Sequence, residues 1–222
     1  MAALLPGLFA APATAACRLA LVLALDVSSS VDAREYALQS KGLAAALDAP
    51  DIRHAILSGG GDVALAVYEW SGRRQQKLQL DWTILRGQAD ITRAAETLAN
   101  MKRGTAEFPT ALGAALGHGA MLMARAPDCA RRVIDVSGDG INNQGFAPAL
   151  AYRHFPYQGI TVNGLVILGH DGDVLRHYRD EVLHGPGAFL EVADGFAGFR
   201  RAMERKLFRE INNMMLGALP GQ

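Results

Sequence analysis

The sequence predicts an α/β fold: a doubly wound, mostly parallel sheet of six strands, with one antiparallel edge strand and helices on both faces. Three observations carry that expectation. Apolar runs of strand length alternate with longer segments of helical period, the pattern of a parallel sheet covered by helices. Leu19 to Leu25 is unbroken apolar and is followed at once by Asp26, Ser28 and Ser30, as a buried strand ending in a polar loop would be. Leu78, Leu80, Trp82 and Ile84 alternate with Gln79, Asp81 and Thr83, a period of two that marks a strand with one wet face.

The elements follow in order. The first strand is 19–25. Asp32 is a helix N-cap with Glu35 three residues on, a capping box, and that helix extends to about Leu47, with Pro50 beyond it. After Ser58-Gly59-Gly60-Gly61 the second strand, 63–67, ends in Tyr68-Glu69-Trp70 and a Ser71-Gly72 turn. So short a turn makes the alternating third strand antiparallel to the second, and hence an edge. A helix is expected at about 89–101, then a loop at 103–109. Thr110 opens a helix rich in small residues, 111–125. The next central strand, 132–137, runs into Ser137-Gly138-Asp139-Gly140. The segment 146–157 is ambiguous because Pro156 interrupts its end. A buried strand at 160–168 and a short one at 189–193 complete the six. The final helix, from Phe196 to about Asn212, places Phe196, Phe199, Met203, Leu207 and Ile211 on one face.

Length and composition bound the rest. The chain has 222 residues, which fits one domain, 17–222, with a large core. Half the residues are apolar, 22 basic residues balance 22 acidic ones, and no basic block stands out. Disorder, nucleic-acid binding and attraction to an anionic membrane are therefore poor expectations. Residues 1–16, MAALLPGLFAAPATAA, are apolar, uncharged and end in small residues like a signal-peptidase site, although no Lys or Arg precedes Arg18. The stretch is too short for a transmembrane helix. It reads as an export signal, a frayed extension being the plainer alternative. A lipidated Cys17 ranks lower, because Thr14 stands where that signal wants Leu.

Three loops would converge at the carboxyl ends of such a sheet, where ligands bind. They bring Asp26, Ser28 and Ser30; Thr110; and Asp139. The first strand and the strand after the topological switch lie side by side, so Asp26 and Asp139 would end neighbouring strands about 4.8 Å apart. Carboxylates that close repel unless a cation or a proton lies between them. With three hydroxyls nearby, the set becomes an oxygen cage of the kind hard cations take. Taken alone, the first triplet reads equally well as a hydroxyl-rich turn capping the next helix.

Asp26-Val27-Ser28-Ser29-Ser30, Thr110-x-x-Gly113 and Asp139-Gly140, in that order, resemble the metal-ion-dependent adhesion site of von Willebrand factor type A (vWA) domains. The resemblance covers nearly the whole chain after residue 17 and implies the Rossmann-like vWA fold. It implies that Ser28, Ser30 and Thr110 ligate a divalent cation directly and that Asp26 and Asp139 act through water. It also implies that a carboxylate from a partner protein fills the free position. Glu69-Trp70-Ser71-Gly72, Asp81-Trp82-Thr83 and the run from Val133 to Gly140 are similar to an uncharacterised bacterial family of exported proteins with this domain. That family brings a fold and no known activity. One departure is Glu107-Phe108-Pro109, where the pattern has a glycine-rich lead-in to the threonine, which leaves the loop geometry open.

Cys17 and Cys129 are the only two cysteines. Cys17 lies nine residues before Asp26 and Cys129 ten before Asp139, so on adjacent parallel strands the two stand level at the opposite end. The spacing of neighbouring strands, ~4.8 Å, falls within the ~4.4–6.8 Å a disulfide requires. A Cys17–Cys129 bond is expected, in keeping with an oxidising compartment; two free thiols are the alternative. His170, His177 and His184 recur every seven residues, but seven helical residues span ~10.5 Å, too far for two ligands on one ion. They are expected at the surface. Asp135, a carboxylate inside an apolar strand, is expected to pair with Arg131, Arg132 or a backbone donor. Trp70 and Trp82 are read as packing residues near the rim. Asn142 and Asn143 are loop formers close to the metal face.

The resulting expectation is a periplasmic or secreted module, monomeric and not an enzyme, without a transmembrane segment in the mature domain. It would hold Mg²⁺ or Mn²⁺, with Ca²⁺ as a further option, at Asp26, Ser28, Ser30, Thr110 and Asp139 and engage an acidic side chain of a partner protein. The rival readings are a metal-assisted phosphate or other ester hydrolase using Asp26 and Asp139, and a structural domain whose site is idle. Against the hydrolase, the Asp26 loop has no second carboxylate two residues on, and neither a G-x-S-x-G elbow nor a Walker glycine loop is present.

Overall fold

Adjacent parallel strands, not helix propensity, organise the molecule. The computed structural model describes residues 16–212, so the expected export signal lies outside the described residues except for Ala16. Strands β1 (Cys17–Asp26), β2 (Asp62–Trp70), β3 (Gln76–Leu85), β4 (Cys129–Gly138), β5 (Ile160–Ile167) and β6 (Leu190–Ala193) form one sheet in the order β3-β2-β1-β4-β5-β6. Only β2 and β3 pair antiparallel. This is the expected mostly parallel sheet with an antiparallel edge.

Strand alternation divides the core between two faces. Leu19, Leu21, Leu23 and Leu25 of β1 face one layer, made of α1 (Ala33–Leu47), α2 (Pro50–Ser58), α3 (Gln88–Ala99) and α7 (Gly195–Ile211). Ala20, Val22 and Ala24 face the other, made of α4 (Leu112–Met123), α5 (Pro148–His154) and α6 (Val174–His177), which continues as a π-helical turn, Tyr178–Val182. At the start of α1 the Asp32 side chain accepts from the Glu35 amide and Glu35 returns the bond to the Asp32 amide, as the sequence indicates.

Several expectations need correction. Pro50 does not merely lie beyond a helix; it starts α2, because the first helical position has no hydrogen bond for its missing N–H to break. Thr110 precedes α4, which begins at Leu112. The ambiguous 146–157 contains α5, started by Pro148 and ended before Pro156. The three histidines differ. His170 is exposed. The His177 side chain is largely buried on α6, and His184 stacks on Tyr152 with ring centroids 4.2 Å apart. Trp70 is fully buried, and Trp82 is partly buried with its indole N–H on the Leu122 carbonyl.

Asp135 pairs with neither arginine. It faces the α7 layer, where the Lys206 ammonium lies 3.2 Å from Asp135 and 3.2 Å from Glu210, all three fully buried. Asn163 of β5 also donates to Glu210. Arg131, four residues earlier on β4, reaches the Glu210 carbonyl instead. Two carboxylates thus share one ammonium in a dry interior. Burial pushes the Asp135 carboxyl up to about 8, against the pull of Lys206 and with a further push from Glu210. At the far end of β1, Cys17 and Cys129 are joined by a disulfide with 4.5 Å between Cα atoms.

Two outcomes follow. The disulfide closes a loop with a sequence separation of 112, so replacing both cysteines by serine should lower unfolding free energy by about 2–5 kcal/mol in urea titrations. The folded protein holds a proton on Asp135 that the unfolded chain releases above about pH 4, so stability should fall as pH rises from about 4 towards 8. Asp135→Asn should remove part of that fall, measured by denaturation at pH 5 and pH 7.5, the remainder coming from Asp26 and Asp139, whose carboxyls burial also raises.

Candidate metal centre

β1 and β4 are hydrogen-bonded neighbours, with Leu25 level with Ser137, so Asp26 at the end of one and Asp139 just past the other emerge side by side. Both carboxylates are buried, as are Ser28 and Thr110, while Ser30 is half-buried. Four of the side chains form one chain of contacts, and Asp26 joins it through the Ser28 backbone. Thr110 Oγ1 lies 3.3 Å from Ser28 Oγ, and Ser28 Oγ lies 3.2 Å from Ser30 Oγ. Ser30 in turn donates to Asp139 Oδ1 at 2.9 Å. The Ser28 amide donates to Asp26 Oδ1 at 2.8 Å, closing a tight Asx turn at the strand end. All five residues singled out in the sequence therefore meet at one point.

Thr110 comes from a distant loop and is held by its backbone. Its amide donates to Asn143 Oδ1 at 2.9 Å, its carbonyl accepts from the Asn143 and Gln144 amides, and the Ala111 amide bonds Ser71 of the β2 end. The lead-in that departs from the glycine-rich pattern is pinned as well. The Phe108 carbonyl accepts from the Ser29 amide, and Arg103 donates to the Val27 and Ser28 carbonyls. Buried Glu69 accepts from the Gly104 amide and from Tyr36 Oη, tying this loop to β2 and α1. Asn143, Arg103 and Glu69 are positioning residues that the sequence reading did not assign. The only signal for Asn143 was its place four residues after Asp139. Glu69 had only its place in the Glu69-Trp70-Ser71-Gly72 string and Arg103 none, since a long-range bond to a carbonyl or an amide leaves no local pattern.

Burial, reinforced by the nearby Asp139 charge, pushes the Asp26 carboxyl up to about 7 despite its bonds from Ser28. Burial also raises Asp139, against its bond from Ser30. Among the described residues no Lys, Arg or His lies within ion-pair distance of either carboxylate. Asp26 Oδ2 and Asp139 Oδ2 have no hydrogen-bond partner, and Ser71 Oγ, Trp70 Nε1 and Tyr178 Oη are also unpartnered. Buried carboxylate oxygens without a proton donor or a countercharge are unfavourable. A hard divalent cation supplies what this donor set lacks, and two carboxylates with three hydroxyls fit one. No group of three His, Cys, Asp or Glu side chains gathers among the described residues, so the hydroxyls are essential to any such site. A cleft of about 540 Å³, lined by Ser29, Ser30, Thr110, Gly140, Asn143 and His170, opens above it.

Two glycines shape the pocket differently. A Cβ on Gly138 would lie 2.4 Å from Tyr178 Oη and 2.8 Å from Asp26 Oδ2, whereas one on Gly140 would meet only Thr110 Oγ1 at 3.6 Å. Gly138→Ala should therefore destabilise the protein by about 1–3 kcal/mol and Gly140→Ala by far less, as read from paired urea titrations.

Comparison with known proteins places this geometry in a fold. Proximal thread matrix protein 1 from the mussel byssus is 14% identical, with a TM-score of 0.66 over 90% of this chain and 49% of that chain. This protein spans about half the length of that one. Another structure of the mussel protein, with a zinc-occupied MIDAS motif, is 16% identical with a TM-score of 0.61, over 89% of this chain and 47% of that one. A von Willebrand factor type A structure from Catenulispora acidiphila is 14% identical with a TM-score of 0.61, over 88% and 43% of the two chains. BatB, a conserved hypothetical protein from Bacteroides thetaiotaomicron, is 15% identical with a TM-score of 0.59, over 88% of this chain and 100% of that one. At such identities the likeness establishes the fold alone. No curated protein matches the chain in sequence. The family model described as "Protein of unknown function (DUF1194)" matches residues 16–215, and the chain belongs to that family, with a vWA fold.

Proposed function

We propose that residues 17–222 form a single exported vWA module. It holds a divalent cation at Asp26, Ser28, Ser30, Thr110 and Asp139 and engages an acidic group of a partner protein there. The observation that carries this reading is the pair of buried carboxylates with unpartnered oxygens and, among the described residues, no countercharge within ion-pair distance, set beside three hydroxyls at the floor of an open cleft. When bound, the cation offers coordination positions that a partner's carboxylate completes.

The chain's own residues perform the rest. Ser28, Ser30 and Thr110 present neutral oxygens; with these as the direct ligands and the two aspartates acting through water, no anionic protein oxygen would touch the cation, and it would stay attractive to a partner's carboxylate. Asn143 and Arg103 hold the two hydroxyl-bearing loops in register. An all-oxygen set favours Mg²⁺ or Mn²⁺, with Ca²⁺ the larger alternative, over a thiolate- or imidazole-loving ion. The Cys17–Cys129 bond supports an oxidising location, consistent with residues 1–16 serving as an export signal. Among the described residues no helix is long and apolar enough to cross a membrane.

Thermal unfolding with and without each ion tests the reading. At 100 times Kd, Mg²⁺ or Mn²⁺ should stabilise by ~2.7 kcal/mol, a rise on the order of 5–10 °C in Tm, and Asp26→Ala should abolish it. The absence of any shift with Mg²⁺, Mn²⁺ or Ca²⁺, or an equal shift in Asp26→Ala, would overturn it. Metal-dependent turnover of phosphate esters, lost in Asp26→Ala, would favour the hydrolase instead.

A further inference from the structure

Tyr178 is fully buried, and its hydroxyl has no partner among the described residues. A phenylalanine would fill the same space without burying a bare hydroxyl, so the oxygen itself calls for a reason. The surroundings supply one. Asp26 Oδ2 is also unpartnered, and both oxygens crowd the point where a Gly138 Cβ would sit, at 2.4 Å for Tyr178 Oη and 2.8 Å for Asp26 Oδ2.

The sheet is cleared to admit this ring. Besides Gly138 on β4, Gly164 on β5 faces it, where a Cβ would lie 2.9 Å from Tyr178 Cδ1. Two neighbouring strands thus lack side chains where one phenol passes between the helical layer and the end of β1. The ring is also set by unusual backbone. Tyr178 begins the π-helical turn Tyr178–Val182, a geometry that is rare and concentrated at functional sites. The residue before it, His177, accepts from the Asn142 amide at 3.2 Å, next to the Asn143 that holds Thr110. The turn is therefore tied to the same loop that completes the candidate centre.

We propose that Tyr178 is a positioning residue for the metal centre, its hydroxyl donating to Asp26 Oδ2 through one water and so fixing the carboxylate's orientation. A carboxylate oxygen has two lone pairs, so this bond leaves Asp26 able to face a cation or a water on it. Outer-shell donors of this kind orient ligands and typically contribute about 10–100-fold to metal affinity.

The inference rests on the metal reading, and one experiment separates the two. Mn²⁺ affinity is measured by calorimetry for the wild type, Tyr178→Phe and Tyr152→Phe, together with metal-free denaturation of each. Tyr178→Phe keeps the ring and removes a hydroxyl that makes no direct bond to another protein group, so it should fold with little change in stability. It should bind Mn²⁺ about tenfold more weakly. Tyr152→Phe removes a hydroxyl that donates to the Val182 carbonyl, in the same turn but away from the centre, and should leave Mn²⁺ affinity unchanged. If the wild type and Tyr178→Phe bind Mn²⁺ equally, the positioning role fails while the metal reading stands. Equal weakening in Tyr152→Phe would likewise overturn it, as a general loosening of the turn. If the wild type binds no Mn²⁺, Mg²⁺ or Ca²⁺, the metal reading fails and this inference with it.

Discussion

The parallel pairing of β1 with β4 is the constraint on which the rest depends. It sets Asp26 beside Asp139 at one end of the sheet and Cys17 beside Cys129 at the other. Both strands are central and buried, so a slip in register would break a ladder of hydrogen bonds and turn apolar side chains to the wrong layer. The disulfide locks the lower end of the same pair, and the upper end is thereby limited to one alignment of the two carboxylates.

Charge burial is handled in two contrasting ways on the same strand. Asp135, in the middle of β4, has its counter-ion inside the protein, since Lys206 of α7 reaches down to it and to Glu210. Asp139, four residues on, and its neighbour Asp26 have none, although they are as deeply buried. The first arrangement anchors the last helix to the sheet. The second leaves two carboxylates poised between accepting a proton and accepting a cation, because both relieve the same burial penalty and mutual repulsion. The same chain thus separates a structural charge cluster from one open to solvent through a cleft.

The hydroxyls are held with similar economy of parts. Thr110 reaches the site although the lead-in Glu107-Phe108-Pro109 lacks glycines, because Phe108 offers its carbonyl, not its side chain, to the Ser29 amide. Backbone bonding made the composition of that loop unimportant. The same reasoning explains why Thr110 lies outside α4: its carbonyl, which at a helix start would accept the first helical bond, is taken by the Asn143 and Gln144 amides.

Residue pattern alone was enough for the strand set, the capping box on α1, and the convergence of Asp26, Ser28, Ser30, Thr110 and Asp139. Those features depend on local periodicity and on one topological rule, that parallel strands with switched order bring particular strand ends together. The burial of His177 and the partner of Asp135 were not legible, because each depends on which side of the sheet a residue meets and on what lies across it; the helix at Pro50 had a local signal, proline at the first helical position, that the sequence reading did not use. Asp135 had two arginines within four residues and chose a lysine 71 positions away, since strand alternation aimed it at α7. Tyr178 makes the same point at the candidate centre. Nothing near it in sequence connects it to Asp26, and only the packing of a π-helical turn over two glycines sets both oxygens against Gly138. The sequence by itself determined which groups could form an oxygen-lined site; the tertiary structure decided which other groups hold them, because long-range contacts depend on direction and depth that linear spacing does not encode.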